Sequence, residues 1–335
     1  MTRLQPGYEQ DSWSNAVVNV VCIEKACSFA YEKGKVSYAN DGYEFIFRQD
    51  FSSIFKITVL SVLFKSVDFS YIVLRSYGLD GYMIGIADPL YLSIEDCNFE
   101  YILSQNSLIF IYSSTLDLKG YVTTQEHIRL NRVTMRNVAL IEGSAFNLVY
   151  STKKSQYNVI IGNFTVTDSS SIKSTMISID SPFDEFGKSS QTYFYGTTKV
   201  SNATFTRVYS NYEIVSINNM MSVGIDSITF DHCGYSQDAV NVQTVDYFIR
   251  NPQSYIERRL DIDLGKCELA FFTLAKVEAV KIYNSAVFDS TCSHSAGFLV
   301  DSTSFVASNL TFERNESVEA QFGTALILSA ETCEV

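Results

Sequence analysis

The chain has 335 residues and a formal net charge of −12, with 46% hydrophobic residues, 24 Phe and 21 Tyr against 4 Pro and one Trp. An acidic surface repels phosphate backbones and the sequence holds no basic run, which argues against nucleic acid as a partner. No stretch reaches about 18 uninterrupted apolar residues, so no membrane span is expected.

The aromatic and β-branched bias favours pleated, half-buried surface, and hence a mostly β chain. Residues 1–60 fit the repeat poorly, and 1–55 are expected to form an N-terminal cap or partial coil. Their start, Met1 to Ser14, is polar and lacks an apolar signal region. Trp13, Val17, Val20, Val21 and Cys27 can share a helical face, capped by Ser12 or Ser14; the same stretch also reads as strands. Cys22 and Cys27 are close enough to close a small disulfide loop. The chain has seven cysteines, so at least one is free or pairs with another chain. Cys97, Cys233 and Cys292 lie in or beside repeat strands and read as small buried hydrophobes.

From residue 56 to 335 a pattern returns about every 30 residues. A large apolar residue marks it: Phe69, Phe99, Met135, Val166, Phe205, Phe230, Phe288 and Phe312. Three positions earlier sits a small polar residue (Ser66, Asp96, Asn163, Asn202, Ser227, Ser285 or Asn309), with Arg132 the exception. Thr often comes directly before it: Thr134, Thr165, Thr204, Thr229 and Thr311. The reading is a turn residue, then Thr facing out, then the apolar residue facing in. A second class of short apolar strand alternates with the first, centred near residues 110, 147, 178, 215, 272, 298 and 326. Self-similarity at this period, with two or three strands per repeat, predicts an all-β, right-handed parallel β-helix with coils of about 30 residues. A propeller needs longer, four-stranded blades. A sandwich predicts no axial register of Asn and Phe.

At Asn309 to Leu328 the sequence resembles the right-handed β-helix proteins of the pectin-lyase-like superfamily. More narrowly, it is similar to adhesin-type repeats of polymorphic membrane proteins and of surface proteins in ciliates and other protists. Phe312-Glu313-Arg314-Asn315 matches the Phe-x-x-Asn of those repeats. Gly323-Thr324-Ala325-Leu326 and Gly143-Ser144-Ala145-Phe146 approximate their Gly-Gly-Ala-Ile strand. The other copies depart at the fourth position. The resemblance implies a cell-surface, adhesive or structural role, although fold alone does not fix function.

Enzymes of this superfamily would show an Asp-Asp pair, a Gly-His-Gly and an Arg-Ile-Lys, or calcium-binding aspartates with an arginine base. None of the three hydrolase motifs occurs in this chain. Arg250 to Arg259 begins like the lyase pattern Arg-x-Pro-x-x-Arg, but Tyr255 stands at its last position. The best carboxylate pair is Asp261 and Asp263, which share an outer face if Leu260, Ile262 and Leu264 point inward. Such a pair could flank a glycosidic bond or bind Ca²⁺; its plain reading is a solvated strand face. Asp184 and Glu185 read as loop solvation. Cys292 and His294 have metal-like spacing, but two ligands make no zinc site. No metal and no cofactor are expected.

Asn-x-Ser/Thr sequons stand at Asn163, Asn202, Asn309 and Asn315, and three of them share one repeat position. That pattern reads as a row of N-glycans on a secreted solenoid or as turn chemistry alone, and the two are compatible. The strand at 326 is followed by no capping element, so the expectation is either a fragment of something longer or an open C-terminal end covered by other chains. The expected protein is a non-enzymatic extracellular or cell-surface β-helix acting as spacer, adhesin or filament subunit, with carbohydrate as a further partner. The alternatives are a carbohydrate-active β-helix enzyme using Asp261 and Asp263, and an intracellular scaffold with reduced cysteines and bare sequons.

Overall fold

The computed structural model describes residues 16–21, 28–37, 53–74, 82–104, 106–113, 127–141, 143–150, 157–172, 174–180, 196–234, 267, 270–293, 295–317 and 325–334. Among them all regular structure is strand. Twenty strands join one sheet, two form a small second sheet, and strands pair only in parallel. The arrangement is a solenoid-like stack in which each strand pairs with its equivalent one repeat later.

Three inward rows define three faces. The first runs Phe55, Ile84, Ile109, Phe146, Ile177, Val215, Phe272, Phe298 and Leu326. These are the second-class strands of the sequence repeat. The second runs Val62, Leu92, Ile128, Val159, Thr198, Val223, Val280 and Phe305, and is continued in register by the exposed Cys333. The third runs Val36, Phe69, Phe99, Met135, Val166, Phe205, Phe230, Val287 and Phe312. Rings meet along it: Phe69 stacks on Phe99 at 4.8 Å and Phe205 on Phe230 at 5.0 Å. Phe69, Phe99, Phe205 and Phe230 are fully buried, each worth about 1.5–3 kcal/mol of transfer free energy.

One expectation is corrected here. Phe288 is not in the third row; Val287 pairs with Phe230 and Phe312, while Phe288 pairs with Asp231 and Glu313 on the outside. The turn residue of that repeat is correspondingly Asn284, not Ser285. Strand side chains alternate, so a slip of one residue exchanges the faces.

Single residues in left-handed conformation make the corners. Asp88, Asn219 and Lys276 occupy one. A second holds Lys33, Ser66, Asp96, Arg132, Asn163, Asn202, Ser227, Asn284 and Asn309. Tyr101, Asn137, Asp168, Arg207, His232, Asp289 and Arg314 hold the third. None is β-branched, as sterics at positive φ require. One bent residue turns the chain without ending its ladder, so strands such as Thr197–Ser210 run continuously across a corner.

Repeat length varies around the expected 30. Equivalent residues are 25 apart at Asn284 and Asn309, 31 at Val138 and Ser169, 39 at Asp168 and Arg207, and 57 at Ile228 and Ser285. Ala16–Val21, Ser28–Glu32 and Lys35–Ser37 are strands in register with the following repeat, so the strand alternative holds in this segment rather than the helical one.

Candidate functional site: the outer corners

Polar residues predicted at the turns sit on the outer corners and bond along the stack. Asn163 Nδ2 donates to Asn131 Oδ1 at 3.1 Å, and Asn202 Nδ2 to Asn163 Oδ1 at 3.4 Å. Two rungs further, Asn284 Nδ2 donates to Asp226 Oδ1 at 2.9 Å and Asn309 Nδ2 to Asn284 Oδ1 at 2.8 Å. Asn163, Asn202 and Asn309 are exposed. An amide nitrogen carries two hydrogens, so one can serve this ladder while the other position bears a substituent. Asn315 differs. It is half-buried, its Nδ2 donates to the Val287 carbonyl at 2.8 Å, and its Oδ1 accepts from the Ser290 N–H at 3.1 Å. It ties one rung's backbone to the next, a structural duty that the sequon alone does not reveal.

Asn202 has φ 50°, so Asn202→Val is expected to cost about 1–2 kcal/mol through the left-handed backbone. Asn202→Gly is expected to stay within about 0.5 kcal/mol, because glycine accepts that conformation freely. Urea unfolding of the two variants tests the difference.

Three arginine–aspartate pairs, one on this corner and two on the third, escaped sequence reasoning. Asp96 accepts from Arg132 Nε and, at 2.9 Å, from its Nη2. Arg207 grips Asp168 the same way at 2.5 and 2.9 Å, and Arg314 grips Asp289 at 2.5 and 2.8 Å. For the last two pairs the available signal was a recurring Asp or Arg two residues after the inward row, at Asp168, Arg207, Asp289 and Arg314. All three pairs are largely exposed, and such pairs contribute little individually.

The hydrogen bond from Arg132, and then its charge and that of Lys65, hold the Asp96 carboxyl below its usual 3.8. A carboxyl lowered in the folded state adds stability above pH 3.8, and that contribution is lost as pH falls through the folded value. Arg132→Ala is therefore expected to leave acid stability nearly unchanged and to reduce the gap between urea midpoints at pH 7 and pH 3. An unchanged gap would contradict the assignment. Asp180 goes the other way: burial raises its carboxyl, opposed by the Asn219 amide at 3.1 Å and the Lys276 charge.

Cysteine chemistry divides. Cys267 and Cys292 form a disulfide, so Cys292 is not the simple buried hydrophobe expected from its repeat position. Its place in a bond also removes the Cys292–His294 pairing as a metal motif; His294 lies outside the described residues. Cys97 and Cys233 are buried thiols, pushed up by desolvation to about 11 and about 12. His127 is buried between the Tyr91 and Tyr157 rings, and its Nδ1 accepts from the Asn158 N–H at 3.2 Å, a packing role.

The disulfide candidates Cys22 and Cys27, the acidic pair Asp261 and Asp263, the loop acids Asp184 and Glu185, and Arg250 to Arg259 all lie outside the described residues. Among the described residues no helix is long and apolar enough to cross a membrane. Compared with known protein families, curated proteins and solved structures, the chain matches none.

Proposed function

We propose that the chain is a non-enzymatic structural protein, a right-handed parallel β-helix that serves outside the cell or at its surface as a rigid spacer, adhesin or assembly subunit. The observation that carries this reading is the axial register, kept from rung to rung with irregularities only near Ala270–Phe272 and Leu274–Val277 among the described pairings. Three inward rows run through successive rungs, and polar pairs join neighbouring rungs at several outer corners. A stack of this kind resists bending because each rung is bonded to both neighbours along its length. The Cys267–Cys292 disulfide favours an oxidising compartment. Three exposed sequon asparagines on one corner favour a glycosylated edge. Other copies or other chains are proposed as partners at the C-terminal edge strand Leu326–Glu334, whose second half is exposed.

Peptide mass analysis of native protein before and after glycosidase treatment is the test. The expected result is glycan at Asn163, Asn202 and Asn309 with Asn315 bare. Unmodified asparagine at all of these positions would remove the extracellular reading and favour the intracellular scaffold.

A further inference from the structure

We propose that Asp231, His232 and Asp289 form a surface site for a divalent transition ion of borderline softness, such as Zn²⁺, independently of the role proposed above. The three residues each offer one donor atom, and these atoms all lie within 4.8 Å of one another. A tetrahedral zinc site with bonds near 2.0–2.1 Å needs donors roughly 3.4 Å apart. Small side-chain rotations therefore close the gap.

The fold prepares the set. His232 and Asp289 occupy equivalent corner positions on adjacent rungs, with φ 52° and 45°, which stacks one side chain above the other. Asp231 stands beside the imidazole, its Oδ1 2.7 Å from His232 Nδ1. The side chains of His232 and Asp231 are 55% and 37% exposed, so an ion can reach them from solvent. Along this corner Asp168 is matched to Arg207 and Asp289 to Arg314. His232 falls between the two pairs, where the acid–arginine alternation breaks. Arg314 holds both oxygens of Asp289 and leaves each a second lone pair, the outer support that metal-binding carboxylates commonly have.

The chemistry selects the ion class. One imidazole nitrogen with two carboxylates suits Zn²⁺, Co²⁺ or Ni²⁺. Calcium needs six to eight oxygens, more than this corner supplies. The site also has a structural consequence: Ile228 and Ser285 mark adjacent rungs 57 residues apart in sequence, the longest step in the stack. An ion shared by His232 and Asp289 would pin those two rungs together.

The test is titration of tag-free, metal-stripped full chain with Zn²⁺ by calorimetry and with Co²⁺ by visible absorption. The expected result is one ion per chain. Arg314→Gln, which keeps all three ligands, should weaken binding about tenfold. His232→Ala should weaken it further and abolish the Co²⁺ ligand-field band, while Asp96→Asn, on another corner, should leave both readouts unchanged. Asp289→Asn, nearly isosteric and checked for folding by circular dichroism, repeats the test without altering the imidazole. Failure of Zn²⁺ to bind below about millimolar concentration, or undiminished binding by both His232→Ala and Asp289→Asn, overturns the proposal.

Discussion

Phe205→Ala is expected to destabilise the chain by about 3–5 kcal/mol, with Phe230→Ala giving a similar loss. Phe205 is fully buried and packs against Phe164 and Phe230, at 6.3 and 5.0 Å. The missing ring leaves a void that the rungs above and below cannot collapse into, because their own ladders fix them. The adjacent Thr204 pairs with Thr165 and Thr229 on the outer surface, so Thr204→Val should stay within about 0.5 kcal/mol. Denaturant unfolding followed by circular dichroism compares the three. Equal, small losses for Phe205→Ala and Thr204→Val would mean that Phe205 does not face a packed interior.

Removing the Cys267–Cys292 disulfide is the second large effect. The bond spans 25 residues of sequence, and releasing a loop of that size from the unfolded chain's constraint costs about 3.5 kcal/mol in the chain-entropy picture. Cys267→Ala with Cys292→Ala avoids stranding a buried hydroxyl at two fully buried positions. The expected result is a lower denaturation midpoint, reproduced by reductant in the wild-type chain and absent when reductant is added to the double variant. Stacked repeats can unfold in parts, so the loss should concentrate in the rungs after the long step, where amide exchange can localise it. A midpoint insensitive to reductant would show that this bond carries no stability.

The third inward row was almost wholly legible in sequence because it combines two independent signals, a large apolar residue and a turn residue three places before it. Met135 and Val166 belong to it as surely as the phenylalanines. The error at Phe288 has a plain cause: Asn284 and Ser285 both suit a turn, Val287 and Phe288 both suit a core, and only pairing to the next rung decides between them. The second face was harder to read. Its row includes Thr198 and is continued by Cys333, so no residue type marks it, and its corner merges it with the third-face strand.

The outer corners were legible in part. Asparagine at Asn163, Asn202 and Asn309 announced left-handed backbone. Arg132, Arg207 and Tyr101 adopt the same conformation without any propensity for it, held there by the strands on both sides. The arginine–aspartate pairs join residues 25 to 39 apart. Their partnership follows from the rung step, which varies, and so only the folded register exposes it. The same holds for Asp231, His232 and Asp289, whose donors converge across the longest step.

The central claim is that successive repeats stack along one axis, and distances between spin labels test it most directly. Asn98, Thr134, Thr165, Thr204, Thr229, Ala286 and Thr311 form one outward row, each paired with the next. At about 4.8 Å per rung, labels at Asn98 and Thr229 should lie about 19 Å apart, and labels at Asn98 and Thr311 about 29 Å apart. Separation that grows in proportion to the number of rungs is the predicted result. A distance from Asn98 to Thr311 equal to or shorter than that from Asn98 to Thr229 would contradict the stack, because it would mean that the chain folds back or closes on itself.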